Sequence, residues 1–431
     1  MSRQMHLVAY LQTGPTSHHH AMWRHPETVN DFLAPDYWEN IARTLEKGKF
    51  DAFFFADTLA FFNDTITERG GQMSTLDPLP LVAMMARVTS RLGLGVTLST
   101  TFNEPYKIAR ALQSLDVLSS GRIAWNIVTS FMDLEAQNHG QEKLIGRDAR
   151  YARAQETVEA CMALWGSWEE GAVKADKAAG TFFDMSKIGN VDYRGDYVGA
   201  RGQFQVPPSP QGHPVLMQAG SSPRGRDFAA QWAEMIFTLQ HALPDMQAFY
   251  TEMKSRMPKF GRAPEECAIL TSVDPIIGET AEIARAKQAW INDLVDPTLG
   301  MALVSAHIGA DLSGYSLDQK IEDVASELGT RGSLDVIMQG TKAGGLTIGE
   351  AAKRFATSEL CPQLVGTPEM VADQMQELFE GRGCDGFIIT PTEMPGSFEA
   401  FTRSVVPILQ DRGLFRKEYE ATTLRGNLRS A

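Results

Sequence analysis

Cysteine is scarce in this chain and never clustered. Cys161, Cys267, Cys361 and Cys384 are the four in 431 residues. They form no C-x-x-C pair and sit among apolar or helical neighbours, which argues against a disulfide framework and reads as reduced thiols of a cytoplasmic protein. Long apolar runs are missing too. Nothing approaches the roughly 20 apolar residues of a membrane span, and the run Leu7 to Leu11 is too short for a signal peptide. Positive charge is in deficit, with 40 Lys and Arg against 53 Asp and Glu, a net charge of -13. Such a surface repels phosphate backbones and anionic membranes, so the expected partner is a small molecule, with no nucleic acid and no membrane. No glycine fingerprint follows the first strand-like segment, where Leu11 leads into Gln12, Thr13, Gly14 and Pro15. That counts against a doubly wound nucleotide-binding sheet. The chain also has no internal repeat and no low-complexity tract.

What the chain does have is apolar material, 43% of it hydrophobic, enough for a large core. The run Phe50, Asp51, Ala52, Phe53, Phe54, Phe55, Ala56, Asp57 is short and almost continuously apolar, the mark of a strand buried on both faces, and it ends in a carboxylate. An amphipathic helix with Tyr37, Ile41 and Leu45 on one stripe precedes it and stops at Gly48; a second helix runs from Pro80 to Thr89. The alternation recurs. Strand candidates are His6 to Leu11, Ala52 to Ala56, Leu92 to Ser99, Ile123 to Thr129, Val215 to Ala219, Met235 to Thr238, Ala268 to Val273 and Gly386 to Ile389. Helical patterns at Tyr106 to Leu118, Asp148 to Trp165, Pro223 to Trp232, Pro244 to Arg256 and Thr280 to Leu294 lie between them, and Thr367 with Pro368 opens another. The pattern predicts an α/β fold, a (β/α)8 TIM barrel forming a single domain over 1–431. Long insertions fall at about 169–214 and 296–366, with a C-terminal tail at about 411–431 whose Leu414, Phe415 and Tyr419 are expected to be exposed and to pack on the barrel or a neighbouring subunit.

In such a barrel the chemistry gathers where strands end and helices begin. Asp57 closes the second strand, Ser99 to Asn103 end the third, and Asn126, Thr129 and Ser130 end the fourth. The fifth runs into Gly220, Ser221 and Ser222 ahead of Pro223, small and hydroxyl residues at a helix N-terminus, which suit an anion such as phosphate. Arg147 and Tyr151 share a helical face by their i, i+4 spacing, with Arg150 and Arg153 close by. Each has a plainer reading. Asp57 can be a strand-end carboxylate paired with an arginine, Ser221 and Ser222 a helix cap, and the three arginines a solvated face.

His18 and His20 form an H-x-H after the first strand, the pattern with which metal-dependent amidohydrolase barrels begin. The later strand ends carry Thr129 and Ser130, Ala219, Thr238, and Thr390 with Pro391 in place of the further ligands such a hydrolase needs. No metal is therefore expected, and His18 and His20 remain candidates for polar contacts in a substrate pocket.

Several strings occur together: Met22 to Pro26, the run to Asp57, Ser99 to Tyr106, Gly121 to Ser130, Arg147 to Ala154, Gln218 to Gly225, Asp311 to Tyr315, Val365 to Glu369, and Arg412 to Tyr419. In this order they resemble the bacterial luciferase-like flavin-dependent monooxygenases, in the group of nitrilotriacetate, pristinamycin and dibenzothiophene sulfone monooxygenases. The resemblance spans nearly the whole chain. It implies the oxygenase component of a two-component system, using O2 and reduced FMN from a separate NAD(P)H:flavin reductase to oxidise a small sulfur- or nitrogen-containing molecule, in a homodimer or homotetramer. It also implies that Asp57 and Thr101 lie along the isoalloxazine and Asn126 near the ring or ribityl chain. Tyr151, Ser221 and Ser222 would hold the phosphate, with Arg147 and Arg150 beside them. The family often has His where this chain has Arg147, and commonly an aromatic where it has His139. Phe53, Phe55, Phe102 and Trp125 are expected to keep water from the flavin. The deazaflavin (F420)-dependent oxidoreductases of the same barrel type are the alternative, ahead of the amidohydrolase.

Overall fold

The computed structural model describes residues 3–429 apart from 16, 72, 221, 309–310, 322 and 325–344. Strands β1 (His6–Leu11), β2 (Ala52–Phe55), β3 (Gly93–Ser99) and β4 (Ile123–Val128) form half of a parallel barrel. Two antiparallel hairpins follow, β5 (Val173–Asp176) with β6 (Thr181–Phe183) and β7 (Asn190–Arg194) with β8 (Gly199–Gln203). The barrel resumes with β9 (Val215–Gln218), β10 (Met235–Thr238) and β11 (Ala268–Ile277); β12 (Gln363–Gly366) pairs only with the far half of β11, and β13 (Gly386–Ile389) closes the ring between β11 and β1. The ring of eight strands is sealed by β10 on β11, Met235 opposite Ala268. This is a TIM barrel, as the alternation predicts.

All eight strand candidates are barrel strands. The largest boundary difference is β11, which runs past Val273 to Ile277. Asp274 and Pro275 read as a stop, yet they lie beyond the ring where only β12 pairs, so Pro275 interrupts no barrel ladder. The segment 169–214 reads as loop because its strands are short, polar and largely exposed, and only Val191 and Ala200 of the second hairpin are buried against the core, too few to impose a visible period. Two helix starts were legible from their caps, whereas the helix expected at Pro80 to Thr89 runs Pro78–Arg87 behind an Asp77 cap. Ser222 accepts from the Gly225 N–H at 3.1 Å and Thr367 from the Met370 N–H at 3.4 Å, each just ahead of a proline in the first turn.

The period-2 alternation of each strand sorts two cores. Val8, Tyr10, Ala52, Phe54, Ala124, Met217, Leu270 and Ile388 fill the barrel interior. Leu7, Phe53, Phe55, Val96 and Trp125 face outward into the layer under the helices. The interior is tight at β3, where a Cβ on Gly95 would lie 2.5 Å from that of Phe54. A third core joins the helices Pro297–Ile308 and Ile348–Ser358 to Ile66 and Ala21, building the second insertion over one side of the barrel mouth.

The tail departs from expectation in detail. Leu414 and Phe415 are buried, and Tyr419 donates to the Phe50 carbonyl at 2.7 Å. Leu424 enters the barrel interior from the N-terminal end. Beneath it Asp51 accepts from Arg416 at 2.5 Å and from the Leu7 N–H at 2.9 Å, with His6 Nδ1 at 2.9 Å. Arg425 pairs with Glu234 at 2.6 Å. The tail is thus a plug in the floor of its own barrel. Among the described residues no helix is long and apolar enough to cross a membrane.

Candidate active site

The C-terminal end of the barrel is built in layers. Tyr10, Phe54 and Phe237 form an aromatic floor, their ring centroids 5.4 to 6.2 Å apart. Beside it the Thr97 hydroxyl donates to the Phe55 carbonyl at 2.6 Å and accepts from Asn126 Nδ2 at 2.8 Å. Asn126 Oδ1 is left without a partner in a side chain 5% exposed. A buried amide oxygen in that state costs about 1–3 kcal/mol, so a donor is wanted there. Phe53, Phe55 and Trp125, expected to wall off the flavin, point the other way, because strand alternation sends them outward. Phe102 stacks on His139 at 4.1 Å.

Asp57 follows β2 and lines a cavity of about 740 Å³ with Thr97, Leu98, Ser99, Ser130 and Glu135. No arginine pairs with it among the described residues. Burial above all, then the carboxylates of Asp77 and Glu135, push its acid up to about 7, against hydrogen bonds from Ser74 and Thr58. Glu135 is buried and accepts from the Phe131 and Met132 N–H groups at 2.9 and 3.0 Å and from Ser130 at 3.1 Å, shaping the loop after β4. Sequence reasoning missed it. The signal was a Glu at the third position of the short helix Asp133–Asn138, where it reaches back to its own N-terminus.

On the β4 and β9 side, Tyr151 and Ser222 converge. A Cβ added to Gly225 would sit 2.6 Å from Tyr151 Oη and 3.1 Å from Ser222 Oγ, and one added to Gly220 would sit 2.9 Å from the Gly225 Cα. Two hydroxyls and two glycines therefore crowd the first turn of the helix Pro223–Trp232. The Gly225 N–H is spent on Ser222 Oγ and Pro223 has none, so it is the two hydroxyls and the partial positive charge of the helix end that suit an anion. Arg147 is exposed at the head of the Arg147–Trp165 helix. Arg150 donates to the Ile145 carbonyl at 2.6 Å, while burial and then the neighbouring Arg147 lower its pKa from the usual arginine value. Arg153 is no solvated residue: it straps the helix to the barrel through the Thr100 carbonyl at 2.9 Å and Glu104 at 3.0 Å. Thr101 is buried, its hydroxyl spent on the Thr129 carbonyl at 2.7 Å. Ser221 lies outside the described residues. Asp57, Thr101, Asn126 and Ser222 thus lie at or near the ends of the adjacent strands β2, β3, β4 and β9, and Tyr151 joins Ser222 from the head of the helix Arg147–Trp165.

The histidines stand across the mouth. His18 packs on Tyr10 at 4.1 Å, its Nδ1 3.1 Å from Cys361 Sγ and its Nε2 3.7 Å from Glu359. His20 Nε2 is 2.9 Å from the same carboxylate. Among the described residues no group of three or more His, Cys, Asp or Glu is arranged to hold a metal ion.

A family model for luciferase-like monooxygenases matches residues 13–386. Over 437 aligned residues the chain is 45% identical to dibenzothiophene-sulfone monooxygenase of Rhodococcus erythropolis (strain XP), covering 99% of this chain and 96% of that protein. It is 37% identical to nitrilotriacetate monooxygenase component A of Aminobacter aminovorans, covering 99% and 96%. A crystal structure of a riboflavin lyase with modified FMN and riboflavin superposes with a TM-score of 0.89 at 34% identity, covering 100% of this chain and 96% of that one. The chain belongs to the luciferase-like monooxygenase family.

Proposed function

For this family member we propose the role of oxygenase component in a two-component FMN-dependent system, oxidising a small sulfur- or nitrogen-containing molecule with O2 and with reduced FMN delivered by a separate NAD(P)H:flavin reductase. The observation that carries the reading is the convergence of Tyr151 Oη and Ser222 Oγ on Gly225 at a helix N-terminus. Two neutral hydroxyl donors at the positive end of a helix fit the terminal phosphate of FMN. The cavity beside Asp57 and the orphaned Asn126 carbonyl fit a ring system carrying both donors and acceptors.

Reduced FMN, when bound, supplies the activation of O2, which no side chain here can perform. The chain's own groups bind and orient. Tyr151 and Ser222 donate to the phosphate, with Arg147 and Arg150 adding positive charge nearby. Asn126 Oδ1 accepts from a donor on the ring or ribityl chain. Asp57 titrates near neutrality and can hold a proton at the edge of the cavity. Tyr10, Phe54 and Phe237 form the dry floor.

The named activities of the relatives favour this reading over a deazaflavin oxidoreductase and over a metal hydrolase. Four buried thiols with no disulfide support a cytoplasmic protein. A homodimer or homotetramer is supported by the hairpin of β5 and β6 and the turn just after it, where Phe182 is 62% and Met185 55% exposed.

Anaerobic titration with photoreduced FMN tests the site. Tyr151→Phe and Ser222→Ala should each weaken binding about tenfold, the worth of one hydrogen bond to a charged group. Unchanged binding in both overturns the phosphate assignment.

A further inference from the structure

The backbone between the helix Ile348–Ser358 and β12 takes an unusual turn. Glu359 and Leu360 both lie in the left-handed region, with φ of 47° and 67°. Side chains other than glycine or asparagine disfavour that conformation, and two in succession persist only where the surroundings impose them. Here the turn serves as a hub for the barrel mouth. Glu359 reaches His20 Nε2 at 2.9 Å and His18 Nε2 at 3.7 Å. Cys361 reaches His18 Nδ1 and Ser272 Oγ, each at 3.1 Å, and Ser272 meets Thr390 Oγ1 at 2.8 Å. His241, after β10, hydrogen-bonds the backbone of Leu360. Four loops or strands thereby converge on three residues.

We propose that Glu359 is a positioning residue of the mouth, whose carboxylate sets the orientation of the His18 and His20 rings and keeps a proton on the pair. That it serves an oxygenation site rests on the function proposed above; the effect on the histidines does not. The two imidazoles are buried, with side chains 3% and 0% exposed. Burial disfavours an imidazolium unless an anion stands beside it. Around the pair, the Tyr10 phenol and the Cys361 thiol are pushed up by burial and stay neutral. Burial pushes Asp274, which lies behind Cys361, up to about 8, and pushes His19 down to about 3. Among the described residues Glu359 is the carboxylate that lies against both rings. His18 in turn lies on Tyr10 of the aromatic floor, so the proton that Glu359 retains is held directly over the barrel interior. Among the described residues His20 Nδ1 has no hydrogen-bond partner, so Glu359 is the group that orients this ring through its other nitrogen.

The test is a histidine titration by NMR on the flavin-free, ¹³C-histidine-labelled chain, with His18→Asn and His20→Asn assigning the resonances. In Glu359→Gln the midpoint of at least one of the two rings should fall by about one pH unit, a tenfold easier loss of the proton. Glu359→Asp should give a smaller fall. Unmoved midpoints in a folded Glu359→Gln overturn the proposal even if its unfolding temperature drops, because a merely structural residue would change only the latter. Should Glu359→Gln not fold, Glu359→Asp decides alone: a shifted midpoint supports the role and an unshifted one overturns it. Because no flavin is present, these outcomes are separate from the reduced-FMN titration of Tyr151→Phe.

Discussion

The two ends of the barrel treat buried charge in opposite ways. At the floor, Asp51 is wholly buried, yet Arg416, His6 and the Leu7 N–H surround it and hold its acid below the usual carboxylate range despite the burial. Glu234 is held down likewise by Arg425. At the mouth, burial and neighbouring carboxylates push Asp57 up to about 7 with no cation paired to it among the described residues; buried polar atoms without a partner among the described residues occur at both ends, Asn126 Oδ1, Ser17 Oγ and His20 Nδ1 at the mouth, Arg416 Nη1 and Asn427 Nδ2 at the floor. A floor with its charges paired stabilises the fold. A mouth with a buried acid that no cation offsets is less stable than it could be, which is the state expected of a surface that completes itself with a ligand.

The contrast breaks most visibly at the floor. Arg416→Ala strands Asp51 without its cation and should lower the unfolding free energy by about 3–5 kcal/mol in denaturant titration, while the affinity for reduced FMN in the folded fraction stays unchanged. At the mouth, Asp57→Asn should stabilise. The native acid is raised from the unfolded value of about 4 to about 7, so the folded state binds more protons and loses stability as pH rises between those values. The variant should therefore be more stable by roughly 1–3 kcal/mol at pH 8, with no gain below pH 4, as followed by urea unfolding across pH. Asp51 runs the other way. Its depressed acid stabilises the fold above pH of about 4, and that contribution is lost as pH falls through the native value, so wild-type stability should fall away on the acid side. The smallest effect on stability belongs to Gly225→Ala. Its new methyl would displace the Tyr151 hydroxyl, so reduced-FMN affinity should drop about tenfold while the unfolding free energy changes by about 1 kcal/mol or less.

The floor and the mouth also differ in how much of them could be read beforehand. The eight strands were legible because each is a short apolar run with turn residues on either side, and two helix starts because Ser222 and Thr367 precede prolines. Asp57, Asn126 and Ser222 stood out at strand ends and Tyr151 near the start of the helix that follows β4, and their shared location follows from closing the barrel. Direction was harder. Phe53, Phe55 and Trp125 look like pocket residues by composition, and only the strand period separates them from Phe54. Contacts between distant segments were not legible at all. Nothing near Glu359 announces that it meets His18 and His20, and nothing in the tail announces that Leu424 enters the barrel.

The most direct test of the account is to mix the anaerobic complex of this chain and photoreduced FMN with oxygenated buffer in a stopped-flow and to follow flavin absorbance. The account predicts a slow phase, absent from free FMN, while the flavin is held away from water. Reoxidation at the rate of free FMN, with no added phase, would contradict it.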